Sequence, residues 1–179
     1  MASYSASELK YARPIANALI ERADFRRWFM RGTPYEVGAS EATVLVQQHR
    51  SLRSPNIKNP FWFNCFCGKD SRCECRVGTG IETDILLIFE FATGGRLALH
   101  IEVKPPGTPL GEGQAESYPR RAACWANPAT RPKTVPHHEN FITAIAGWRG
   151  LQWDRTKRTF DREAYHDEIA EYLSPYPEV

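Results

Sequence analysis

Three ionisable residues alternate in the pentapeptide HIEVK, residues 100–104: His100, Glu102 and Lys104 share one side of any strand they form, while Ile101 and Val103 share the other. Alone, that pattern is the solvated face of an ordinary sheet. Its surroundings say more. TDILLIFEFA and RLALHIEVK flank TGG, residues 93–95, a glycine-containing loop suited to a β-hairpin. Pairing Ala92 with Arg96 across this loop sets Asp84 opposite Lys104, so Asp84, Glu102 and Lys104 converge on one face. The other face carries Ile85, Leu87, Phe89, Phe91, Leu97, Leu99, Ile101 and Val103 and reads as core. Leu86, Ile88 and Ala98 share the charged face, which therefore needs a covering helix. Carboxylates at the end of a strand covered on both sides are costly unless paired or bound to a cation. Asp84 and Glu102 are hard oxygen donors suited to Mg²⁺ or Mn²⁺, and the Val103 carbonyl is a further donor. Lys104 is placed to orient a water or to stabilise developing negative charge. His100 reads as a structural residue, Glu90 lies too near the hairpin tip to join the group, and His137 and His138, beside prolines, read as exposed.

A second cluster lies just upstream. CFCGKDSRCEC supplies Cys65, Cys67, Cys73 and Cys75 as two C-x-C pairs separated by five residues. On two short strands joined by GKDSR, each pair shares a face and the hairpin brings the pairs together. Four thiolates in that arrangement suit one closed, structural, tetrahedral Zn²⁺. An iron–sulfur cluster, and reduced thiols or disulfides, are the other two readings. Cys124 stands apart and reads as a core residue.

The elements that must position these groups follow from periodicity. Residues 6–30 have helical spacing with a break, Pro14 opening the main run, and ASEATVLVQQHRSL predicts a second helix with Ser40 as N-cap. From Phe61 the period changes to two, predicting strands, and residues 61–77 form a Cys-rich hairpin insertion within a single domain spanning 1–179. GEGQAESYPRRAACWA predicts a helix, NFITAIAGW a further strand, and DREAYHDEIAEYL, residues 161–173, a closing amphipathic helix with Asp161 as N-cap. The predicted class is α/β, a central mixed sheet flanked by helices.

Asp84, then Glu102-Val103-Lys104, then Gln114-x-x-x-Tyr118, resembles the PD-(D/E)XK nuclease superfamily, in the lambda-exonuclease-like branch that carries a Q-x-x-x-Y helix after the catalytic strand. The resemblance spans residues 36–148. It implies a restriction-endonuclease-like αβββαβ core, catalytic roles for Asp84, Glu102, Lys104, Gln114 and Tyr118, and Mg²⁺ held by Asp84, Glu102 and Val103. It also implies a further Glu from an upstream helix, for which Glu41, then Glu36, is the candidate. Thr83 stands where the superfamily name has proline, and Pro119 follows Tyr118, so the helix either kinks after Tyr118 or begins there. Some relatives in that branch carry a Cys-bound iron–sulfur cluster, but on cysteines dispersed along the chain.

Composition sets the frame. With 42% hydrophobic and 25% charged residues the chain reads as an ordinary soluble globular protein, and a formal net charge of +2 is too small to identify a polyanionic partner. The segments at 120–133 and 148–158 interleave Arg and Lys with Trp, a combination that can hold phosphates and stack on bases. The opening MASYSASELKYARP has no long apolar run, so neither a secretory signal nor a membrane span is expected, and the expected setting is cytoplasmic. The leading expectation is a Mg²⁺-dependent nuclease acting on DNA rather than RNA, with structural zinc. The alternatives are a catalytically inactive module binding nucleic acid or a protein, and a zinc protein in which D…E-x-K is coincidental.

Overall fold

The longest run of alternating and β-branched apolar residues, at 82–103, forms the centre of the fold. A computed structural model describes residues 6–67, 75 and 82–178. In chain order the elements are α1 (Ala6–Glu21), α2 (Ala23–Phe29), β1 (Thr43–Val44), α3 (Val46–Ser51), β2 (Phe63–Phe66), β3 (Glu82–Glu90), β4 (Arg96–Val103), α4 (Gln114–Ala126), β5 (Asn140–Gly147), a 3₁₀ turn (Arg155–Lys157), β6 (Arg162–Tyr165) and α5 (His166–Tyr172). They make a mixed α/β fold on a six-stranded sheet ordered β1-β3-β4-β5-β6, with β2 also paired to β3. β3 is antiparallel to β1, β2 and β4, whereas β5 is parallel to β4 and β6 to β5. The β4-to-β5 connection carries α4 across one face of the sheet.

Side-chain alternation assigns the two faces. Ile85, Leu87 and Phe89 of β3, with Leu97, Leu99, Ile101 and Val103 of β4, pack on Ala12, Ile15, Ala16 and Leu19 of α1 in the main core. Leu86, Ile88 and Ala98 pack on Trp125 of α4 in a smaller cluster that includes Cys65, Cys67 and Cys75. Truncating a fully buried aliphatic such as Leu99 to alanine in such a layer costs about 2–5 kcal/mol.

The hairpin keeps the predicted parity but not the predicted register. Ile85 pairs with Ile101 and Glu90 with Arg96, two residues away from the Ala92–Arg96 pairing, and the loop spans 91–95. The turn closes on Phe91, whose N–H donates to the Gly95 carbonyl at 2.9 Å and whose carbonyl accepts from the Gly94 N–H at 2.8 Å. The Phe91 ring leaves the strand to pack on Tyr35, with centroids 5.7 Å apart. It also lies where a Cβ on Gly38 would stand 2.8 Å from its Cδ1. Glu90 and Arg96 close the ladder with a 2.8 Å ion pair. Because a shift of two preserves the faces, Asp84 and Glu102 remain on the same side.

Several element assignments change. Pro14 lies inside α1 rather than at its start, and the break comes at Arg22. The second expected helix is mostly turn: Thr43 and Val44 pair with Glu90 and Phe89 of β3, leaving only α3. Asp161 does not cap a helix, because its Oδ2 accepts from the Thr143 backbone N–H at 2.7 Å, and β6 precedes a short α5. Most of the Cys-rich insertion, Cys73 included, lies outside the described residues. Among the described residues no helix is long and apolar enough to cross a membrane.

Candidate functional site

The ladder between β3 and β4 ends at Ile85 and Ile101. Beyond it the Val103 N–H donates to Asp84 Oδ2 at 2.7 Å, which fixes the carboxylate at the strand end. Glu102 is fully buried, and its Oε1 accepts from Lys104 Nζ at 2.7 Å and from Gln114 Nε2 at 2.6 Å. Gln114 is oriented by its own turn. Gly113, at φ 67°, leads into α4, and the Gly111 N–H donates to Gln114 Oε1 at 2.8 Å, leaving the amide nitrogen to face Glu102.

Pro119 does not displace this helix. α4 starts at Gln114 and runs through Pro119, so Gln114 and Tyr118 lie one turn apart on the face toward the sheet. The Tyr118 hydroxyl donates to the Ile101 carbonyl at 3.3 Å and accepts from the Asp84 N–H at 3.4 Å. Arg121, one turn on, stacks over the Tyr118 ring at 4.4 Å and donates from Nε to Thr83 Oγ1 at 3.0 Å. The structure thus brings Asp84, Glu102, Lys104, Gln114 and Tyr118 together.

Glu41 and Glu36 are not part of this group. Glu41 precedes β1, whose Thr43 pairs with Glu90, and six residues of strand from there to Asp84 span about 20 Å. Glu36 instead accepts from the Gly32 N–H at 2.8 Å. The helix that supplies a carboxylate is α1. Glu8 Oε1 lies 3.7 Å from Lys104 Nζ. A signal for it existed: Glu8 shares a helical face with Ala12, Ile15 and Leu19, all fully buried, so an acidic side chain lies on an apolar stripe. Also absent from the sequence reading were Arg121 and His166, whose Nε2 pairs with the Lys104 carbonyl at 2.9 Å and whose Nδ1 pairs with the Tyr176 hydroxyl at 2.8 Å. The carbonyl can only accept, so Nε2 carries the proton.

Electrostatics follow from burial. Asp84 is pushed well above the usual carboxylate range by desolvation and then by the Glu102 charge, against the Val103 N–H and Lys104, which favour ionisation. Glu8 is raised, first by burial, despite Lys104. Burial disfavours the charged form of Lys104, but Glu102, Asp84 and Glu8 outweigh it and raise its pKa. Glu102 Oε2 takes no hydrogen bond from any described residue. The Tyr118 hydroxyl is pushed well above its ordinary pKa by burial, then by the Glu102 and Asp84 charges and by its hydrogen-bonding proximity to the Glu102 carboxylate, although its closest acceptor is the Ile101 carbonyl.

These observations fit a divalent cation. A buried carboxylate oxygen without a donor is an acceptor awaiting a partner. The charges acting on Asp84 are Glu102 and Glu8, opposed by Lys104; with Asp84 itself, full ionisation leaves two uncompensated negative charges. Asp84, Glu102 and Glu8 supply oxygens of the type that Mg²⁺ and Mn²⁺ prefer. Val103 enters through its N–H to Asp84.

His100, also on the face toward α4, is neutral and structural: burial, then His138 and Arg121, hold its pKa well below the ordinary value. Its ring lies 5.2 Å from that of Trp125, and its Nδ1 is 3.3 Å from Thr83 Oγ1. His138 is buried rather than exposed, with Nδ1 donating to the Pro136 carbonyl at 2.9 Å. Trp125 and Arg121 are likewise fully buried, which removes both from any base-stacking surface on the 120–133 segment.

With Cys73 outside the described residues, the two-pair pattern is only partly in view, and two of its described cysteines gather with Cys124. Cys67, Cys75 and Cys124 have Sγ atoms within 4.8 Å of one another, a group that could hold a metal ion. Cys124 is therefore not simply a core residue. Cys65 packs in the same apolar cluster but directs its thiol to the Trp62 carbonyl at 4.0 Å. No protein-family model, curated protein or solved structure matches the chain.

Proposed function

We propose that this protein is a Mg²⁺- or Mn²⁺-dependent nuclease of the PD-(D/E)XK type that hydrolyses phosphodiester bonds, with DNA the preferred substrate. The observation that carries the reading is the donorless Oε2 of fully buried Glu102, set beside Asp84, Glu8 and Lys104. The element order supports it: a helix, three strands paired antiparallel in sequence, a covering helix and a strand parallel to the third. The run α3-β2-β3-β4-α4-β5 is compatible with the αβββαβ order that the motif implies, with α1, α2 and β1 preceding it.

A divalent cation on Asp84, Glu102 and Glu8 would supply neutralisation of the scissile phosphate and a lowered pKa for the attacking water. Lys104, held by Glu102, presents a cation to the charge that develops during attack. Gln114 fixes the Glu102 rotamer, and Tyr118 ties α4 to the strand ends that carry Asp84 and Glu102. A cleft lined by Arg13, Asn17, Arg50 and Phe61 opens alongside α1 and offers cations to a phosphate backbone. In this reading the cysteines hold zinc in a structural role.

The second reading is a catalytically inactive module that binds nucleic acid. The 2.7 Å Lys104–Glu102 ion pair favours it, because Lys104 already satisfies an oxygen that a cation would use. Incubation with single-stranded, duplex and branched DNA, and with RNA, in Mg²⁺ or Mn²⁺ separates the two. The nuclease reading predicts cleavage that EDTA abolishes; binding without cleavage on every substrate would select the inactive module.

A further inference from the structure

We propose that Cys67, Cys75 and Cys124 together bind one zinc ion, and that this ion fastens the segment after β2 to α4, the helix carrying Gln114 and Tyr118. The inference goes beyond the nuclease reading and does not need it to be true. Its basis is that thiols from separate parts of the chain meet: two flank the interval 68–74, and the third lies on α4. The Cys67 and Cys75 sulfurs are 3.2 Å apart, and all three lie within 4.8 Å of one another. Zinc–sulfur bonds of about 2.3 Å in a tetrahedron space the sulfurs by about 3.8 Å, so small side-chain adjustments suffice.

The surroundings suit zinc rather than a reactive thiol. Cys67 and Cys75 are 6% and 2% exposed and pack with Leu86, Ile88, Ala98 and Trp125. Three soft thiolates select zinc over Mg²⁺ or Mn²⁺, which keeps this centre chemically distinct from the carboxylate site. Binding converts three thiols to thiolates and releases three protons, with no change of oxidation state. One coordination position is left for water or a further donor. The C-x-C partner of Cys67, Cys65, directs its thiol toward the Trp62 carbonyl at 4.0 Å instead.

The mechanical consequence follows from helix geometry. Cys124 lies six residues beyond Tyr118, about 9 Å along α4, and one turn beyond Arg121. A metal at Cys124 therefore anchors the C-terminal half of the helix whose N-terminal half holds Glu102 through Gln114. Loss of zinc is expected to loosen α4 without removing any carboxylate ligand.

The test uses the full chain purified without chelators, with zinc measured by elemental analysis, and Co²⁺-substituted protein examined for sulfur-to-cobalt charge transfer. Wild type and Cys65→Ser are expected to carry about one zinc per chain and a tetrahedral cobalt spectrum. Cys124→Ser is expected to bind zinc about tenfold more weakly or worse, whereas Cys124→His, which restores a ligand, retains it. Hydrogen exchange across 114–126 should rise when zinc is removed. Wild type without zinc, or with a Cys67–Cys75 disulfide, would overturn the proposal. So would undiminished zinc affinity in Cys124→Ser, or loss of zinc from well-folded Cys65→Ser. None of these readouts depends on cleavage, so failure here is distinguishable from failure of the nuclease reading.

Discussion

Glu8 is the residue that most changes the picture of the site. It sits on the buried stripe of α1, its pKa is raised by burial, and only Lys104 among its named partners favours its charged form. A carboxylate in that position is costly to ionise, and a divalent cation would offset the cost. Substituting Glu8→Gln keeps the shape and removes one charge. The half-saturating Mn²⁺ concentration is expected to rise about tenfold or more, by analogy with the loss of groups that support a metal ligand, while the fold is retained. Calorimetric titration of Mn²⁺ reads this directly, and an unchanged affinity would remove Glu8 from the cation site. Glu41→Gln, exposed and far along the sheet, should leave the titration unaltered.

At the level of elements, the sequence was most informative where one periodicity controlled the outcome. Alternation in 82–103 identified the hairpin and its two faces, and because side chains repeat every two residues, the convergence of Asp84 with Glu102 survived a register error of two. The register itself goes with the Phe91–Gly95 backbone hydrogen bond and the Glu90–Arg96 ion pair, and alternation, which repeats every two residues, does not distinguish it from its neighbour. Thr43 and Val44 went unrecognised as a strand because two residues have no period, and their extended conformation comes from pairing with Phe89 and Glu90. Pro119 looked disruptive in sequence, but tertiary contacts on both sides, Tyr118 to the sheet and Trp125 in the core, outweigh an intrinsic penalty of about 3 kcal/mol. Glu8 was legible as an acid on an apolar stripe; Cys124 was not, since nothing in the sequence relates its position to Cys67. The cleft beside α1 gives an element-scale prediction. Arg13 and Arg50 are exposed and line it. If both contact phosphates, the Arg13→Ala, Arg50→Ala double variant should weaken DNA binding and reduce the slope of log affinity against log salt by about two. A slope equal to wild type, measured by fluorescence anisotropy across a salt series, would place the DNA elsewhere.

For the molecule as a whole, stability and chemistry make separate demands. His49 is buried against Phe61, and burial, then Arg53 and His138, lower its pKa from the ordinary 6.5 to about 3. The folded state therefore holds this ring neutral while the unfolded chain takes up a proton below about pH 6.5. Its contribution is fully present above that pH and is lost progressively as pH falls toward 3. Denaturant unfolding between pH 7 and 4 should show His49→Leu losing less stability than wild type, with a slope smaller by up to about 1.4 kcal/mol per pH unit. Identical slopes would mean that His49 is not buried neutral.

The carboxylate site makes the sharper demand, and single-turnover DNA cleavage by wild type, Glu102→Gln and Lys104→Ala, with binding measured in Ca²⁺ at matched salt, tests it most directly. The site predicts Mn²⁺-dependent cleavage by wild type and loss of cleavage in both variants by different routes. Glu102→Gln should need far more metal, because a ligand charge is gone. Lys104→Ala should bind metal and DNA but fail in the chemical step, because the charge that stabilises the transition state is gone. DNA affinity in Ca²⁺ should be retained by both, since phosphate contacts elsewhere supply most of it. Cleavage at the wild-type rate in either variant, or DNA binding by wild type with no cleavage under any divalent cation, would contradict the assignment of Asp84, Glu102 and Lys104 as a nuclease centre.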